Sequence, residues 1–134
     1  MAMSLSNAEE LLFRQIHPSG LNAGCPCSSC FMPSKSDNGQ LSVDRSSITT
    51  AEGAHERYTR AGRRSAAVFG LSVAEFLACG IPCFEDPTHD HPTLPDNPAH
   101  ALADFSAHGL SSRRMVAKEL KRLAITRGRL FGVS

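Results

Sequence analysis

The sequence predicts an α+β fold: a small mixed or antiparallel sheet with a central helix, a short helix and a C-terminal helix packed on it. Three observations over the 134 residues point there. Short strand-like runs recur between turn residues, two Ser/Thr-x-x-Glu boxes each open a helical pattern, and the last long element is periodic with cations along one face.

Residues 1–10 read as a flexible or helical lead-in, and residues 11–131 as a single domain. Leu11–His17 is strand-like and is stopped by Pro18-Ser19-Gly20. A cysteine-bearing loop follows to Cys30, and Cys30-Phe31-Met32 is a candidate short strand before Pro33. Ser36-Asp37-Asn38-Gly39 carries turn chemistry, and Leu41–Asp44 is the next strand.

Thr49-x-x-Glu52 is a capping box, and Ala51, Ala54, His55 and Tyr58 then share one helical face up to Ala61-Gly62. Ser65–Leu71 is the most strand-like run. It leads into a second box, Ser72-x-x-Glu75, with Val73, Phe76 and Leu77 as the inner stripe and Gly80 as a left-handed stop. Five prolines between Pro82 and Pro98 keep a central strand out of the later part of that stretch. His100–Phe105 is a late strand. Ser111 or Ser112 is expected to cap a final helix reaching about Arg127, with Met115, Val116, Leu120, Leu123 and Ala124 facing inward and Gly128 ending it.

Composition narrows the classes. A 41% hydrophobic content suits a folded core. No apolar run approaches the roughly 20 residues of a membrane helix, and Met1–Phe13 lacks the pattern of a secretory leader. A cytoplasmic location is therefore expected, with reduced or metal-bound cysteines. The net charge of +1 is uneven: acids dominate up to residue 108, whereas Glu119 is the one acid after it. Arg113, Arg114, Lys118, Lys121 and Arg122 make that last segment a surface for an acidic protein or nucleic acid.

Three groups of residues carry candidate chemistry. Cys25, Cys27 and Cys30 form C-x-C-x-x-C, and thiolates so spaced suit zinc, with His17, Cys79 or Cys83 as a fourth ligand. The loop Asp86–His91 places His89 and His91 around Asp90, a set able to hold a metal or move protons. Arg14 and His17 end the first strand, Ser42 sits in a strand with Asp44 beside it, and His100 opens a late strand. Strand ends are where polar groups gather around pockets. Arg14 would clamp an anion, His17 or His100 would move a proton, and Ser42 would orient the ligand. P-loop, dinucleotide-binding, nucleophile-elbow and H-E-x-x-H signatures are absent from the sequence.

Leu12-Phe13-Arg14-Gln15-Ile16-His17-Pro18, Leu41-Ser42-Val43-Asp44 and Pro98-Ala99-His100-Ala101 together resemble a group of small uncharacterised bacterial single-domain proteins. That resemblance implies a bacterial origin and one domain, but no activity. The order Arg14, His17, Ser42, His100 is distantly similar to ADP-ribosyltransferase-like proteins, although the sequence lacks a matching late Glu. The expected function is a pocket for a nucleotide or phosphate-bearing ligand, of transferase- or nuclease-toxin type. The alternatives are an adaptor using the basic C-terminal helix and a zinc-stabilised module using the Cys25–Cys30 loop.

Overall fold

The computed structural model describes residues 3–93 and 95–132. In chain order the strands are β1 (Leu11–Ile16), β2 (Leu21–Asn22), β3 (Cys25–Pro26), β4 (Gln40–Arg45), β5 (Ala67–Ser72), β6 (Cys83–Glu85), β7 (His100–Asp104) and β8 (Phe131–Gly132). The α-helices are α1 (Ala51–Arg60), α2 (Val73–Ala78) and α3 (Leu110–Arg127). Six strands form one sheet in the order β6-β7-β4-β1-β5-β8, and every neighbouring pair is antiparallel. β2 and β3 make a separate small hairpin. The fold is α+β, with α3 packed on the sheet.

Alternation along the strands separates two faces. Leu12, Ile16, Leu41, Val43, Phe69, Ala101 and Ala103 belong to the larger core, shared with Phe76 of α2 and Val116, Ala117, Leu120 and Ala124 of α3. Phe13 and Val68 point the other way and pack with Ala54 of α1. β5 lies between both layers, so all six of its residues are buried. This is why Ala67–Ser72 is apolar almost throughout rather than alternating.

The two faces are covered unequally. α1 spans ten residues, about 15 Å at 1.5 Å per residue, and a helix is roughly 10 Å across. Six strands spaced at about 4.8 Å are far wider than that. α1 packs over β1, β5 and β8, which leaves the β4–β7 side of its face to the proline-rich loop.

Several local expectations are corrected. Cys30-Phe31-Met32 is not a strand: Ser28–Phe31 is a 3-10 turn that seats Phe31, fully buried, in the α3-side core. Helix α1 starts one residue later than the box implied. The Thr50 hydroxyl accepts from the Gly53 amide, so no Glu completes the reciprocal bond. Ser111 and Ser112 lie inside α3, whose N-cap is Gly109, and the Ser112 hydroxyl pairs instead with His108 Nδ1 at 2.7 Å. Met115 and Leu77 are outward-facing, at 71% and 52% exposure. The Ser72–Glu75 box is present with both bonds formed, and Gly80 is left-handed at φ 76°.

Residues 3–10 form no helix. Ser4 bridges Phe84 at the edge strand β6, and Leu5 is buried. Glu10, also buried, receives a two-pronged bond from Arg45 at 3.1 Å and a bond from the Ser47 hydroxyl. Among the described residues no helix is long and apolar enough to cross a membrane.

Candidate functional site

The gap beside α1 is a cavity of about 220 Å³. Its walls are the sheet, α1 with the turn after it, and the loop joining β6 to β7. Phe13 and Gln15 of β1, Ser42 and Asp44 of β4, and His100 of β7 supply the sheet wall. A row runs straight across three strands, because Phe13 is in register with Asp44 and Asp44 with His100. Opposite them, Arg57 and Tyr58 come from α1 and Arg63 from the turn beyond it. Thr88, His91, Pro95 and Asn97 close the third side.

Hydrogen bonds hold this loop over the sheet. Thr88 and Asn97 bridge each other through their backbones, and Asn97 Nδ2 donates to Asp44 Oδ1 at 2.7 Å. Arg57 donates to the Asp96 carbonyl. His100 Nδ1 lies 3.0 Å from both the Asp86 carbonyl and Asp86 Oδ2. Both are acceptors, so Nδ1 carries the proton, and in the neutral ring Nε2 keeps the free lone pair. Burial pushes the Asp44 carboxyl above its ordinary range, against the Asn97 bond and the charges of His100 and Arg57, which pull it down.

Gln15 is the other unusual group. It is 9% exposed, and among the described residues neither its Oε1 nor its Nε2 has a hydrogen-bond partner. Buried polar atoms are nearly always paired, and leaving one unpaired costs about 1–3 kcal/mol. Arg63 and Tyr58 stack at the rim, with the guanidinium carbon 5.6 Å from the ring centroid. Among the described residues neither Arg57 nor Arg63 forms an ion pair with a carboxylate.

Of the four expected site residues, the structure brings Ser42 and His100 to this cavity. Arg14 alternates onto the α3 side with Leu12 and Ile16. There Nε donates to the Cys30 carbonyl at 2.7 Å and an Nη to the Ser42 carbonyl at 3.0 Å, tying the 28–31 turn to the sheet. His17 sits past the end of β1, where Nδ1 caps the 18–20 turn by accepting from the Ser19 amide. In the Asp86–His91 loop, His91 reaches the cavity, whereas His89 pairs with Asp90 at the surface.

Sequence reasoning missed Gln15, Arg57, Arg63 and Asn97. The signal for Gln15 was present, because it alternates onto the same side as Phe13. Arg57 precedes Tyr58 on a helix whose inner face was legible. No local pattern marks Asn97 or Arg63.

The zinc expectation finds no support among the described residues. Cys25 is exposed on the hairpin, Cys27 opens the 28–31 turn, and the Cys30 thiol turns inward to the Gly20 carbonyl. Cys83 is buried in the α3-side core, where burial pushes its thiol up to about 12. Among the described residues no three His, Cys, Asp or Glu side chains gather as a metal site. Along α3, Arg113 donates to the His108 carbonyl and Arg122 pairs with Glu119, while Arg114 and Lys118 are exposed.

No protein-family model, curated protein sequence or solved structure matches this chain.

Proposed function

We propose that the cavity beside α1 binds a phosphate-bearing small molecule, with Arg57 and Arg63 holding the anion and His100 moving a proton at the bound ligand. One observation carries this reading: two guanidiniums that form no ion pair among the described residues lie with Tyr58 on a cavity whose opposite wall presents Ser42 and His100. Arg57 spends one donor on the Asp96 carbonyl, and a guanidinium has five. The planar fork matches phosphate oxygens in pairs. Behind His100, Asp86 fixes the ring's tautomer, the arrangement by which a carboxylate prepares an imidazole to act as a base. Such a site suits transfer or cleavage at a phosphoryl or neighbouring carbon centre.

Titration with ribose 5-phosphate and pyrophosphate, followed by backbone amide NMR, tests the proposal. The amide shifts should concentrate on residues 54–63, 42–44 and 97–100, and the double variant Arg57→Gln/Arg63→Gln should weaken binding about tenfold or more. Shifts elsewhere in the molecule, or affinity that the double variant leaves intact, would rule it out.

A further inference from the structure

Gln15 adds a second requirement to the ligand, one that an anion does not meet. A phosphate offers acceptors, so it satisfies the Nε2 donors and leaves Oε1 unpaired. A group that pairs both atoms presents a donor beside an acceptor, as the edge of a nucleobase does. Gln15, a residue of the cavity wall, carries both complementary atoms, buried and without a partner among the described residues. Both amide atoms are closed to solvent, so pairing with an incoming edge requires the Gln15 side chain to change rotamer toward the cavity. Phe13 and Tyr58 supply ring faces in the same cavity, and Arg57 and Arg63 lie on the wall formed by α1 and its following turn.

We infer that the ligand is a nucleotide, its base edge paired with the Gln15 amide and its phosphate held by Arg57 and Arg63. This inference rests on the anion-binding reading above and adds the identity of the neutral end. Gln15 is then a specificity-determining residue. The amide reverses by rotating half a turn, so it accepts the donor–acceptor edge of a purine or a pyrimidine and selects for the presence of a base.

The test is calorimetric titration of wild type and Gln15→Met with adenosine 5′-monophosphate, uridine 5′-monophosphate and ribose 5-phosphate. Methionine keeps the length of the side chain and removes both polar atoms. Both nucleotides should bind wild type at least about tenfold more tightly than ribose 5-phosphate does. The substitution should remove most of that advantage without changing ribose 5-phosphate itself, the remainder being stacking on Phe13 and Tyr58. Equal affinity of wild type for all three probes overturns the base assignment and leaves the anion reading standing, and this comparison needs no variant. Nucleotide affinity untouched by Gln15→Met overturns the assignment as well. Failure of all three probes to bind wild type overturns both.

Discussion

Asp44 and His100 stand directly opposite each other on β4 and β7, and both line the cavity beside α1. Side chains so placed have Cβ atoms about 4.5–5.5 Å apart. Each is held from behind by the β6–β7 loop: Asn97 donates to Asp44, and Asp86 accepts from His100. A carboxyl that burial makes reluctant to ionise thus faces an imidazole of defined tautomer.

The first prediction concerns the pH dependence of that pair. The Asp44 carboxyl is raised in the folded protein, chiefly by burial, so the native state binds its proton more tightly than the unfolded chain does. Its contribution to stability is fullest below the unfolded pKa and is lost as pH rises through the folded one. Asp44→Asn keeps an oxygen for Asn97 and removes the buried charge. The variant should melt above wild type at neutral pH, with the gap closing on acidification through the folded pKa of Asp44. Thermal scans of both proteins across that range decide it, and a gap independent of pH would count against the buried charge.

Glu10 behaves in the opposite sense. Burial opposes its ionisation, but the Arg45 fork and the Ser47 bonds outweigh burial and hold its carboxyl below the ordinary range. The stability it supplies is therefore complete above the unfolded pKa and is lost as pH falls through the folded one. Glu10→Gln leaves Arg45 without its main counter-charge and should cost about 2–3 kcal/mol at neutral pH. Urea unfolding measures the loss. The difference from wild type should shrink in acid, where both proteins carry a neutral side chain.

Gly20 and the Cys30 thiol form a second coupled pair. A Cβ on Gly20 would stand 2.6 Å from Cys30 Sγ, closer than any relaxed contact. Gly20→Ala should destabilise by about 1–3 kcal/mol through overpacking. Cys30→Ala empties that space, so the double variant should recover part of the loss. A double-mutant cycle reports the coupling directly, and strict additivity would show that the thiol simply rotates aside.

Helix α3 begins without a side-chain cap. Gly109 occupies the N-cap with extended backbone, no acid lies in the first turn, and a Cβ there would meet nothing within 4 Å. Gly109→Asp supplies an acceptor for the orphan amides, a charge favourable to the helix dipole and a stiffer unfolded chain. A gain of about 0.5–1 kcal/mol is expected in denaturant unfolding. No change would mean that the α3 N-terminus contributes little to the folded state.

By itself, the sequence determined those parts of the fold whose cause is local. The Ser72–Glu75 box, the left-handed stop at Gly80, the fully buried run of β5 and the strands at 11–16, 40–45 and 100–104 follow from capping, turn and periodicity rules acting over a few residues. The short strands β6 and β8 did not show, because three-residue and two-residue strands exist only by pairing with β7 and β5. The site divided along the same line. Ser42 was legible as a polar residue within a strand, and His100 as one that opens a strand. Only the tertiary structure sent Arg14 to the α3 side and brought Arg57, Arg63 and Asn97 round to face Ser42 and His100. The physical reason is that a cavity is the space left where one short helix fails to cover a wide sheet. What lines it depends on strand order and on the path of a long loop, and neither is encoded within the span of a motif.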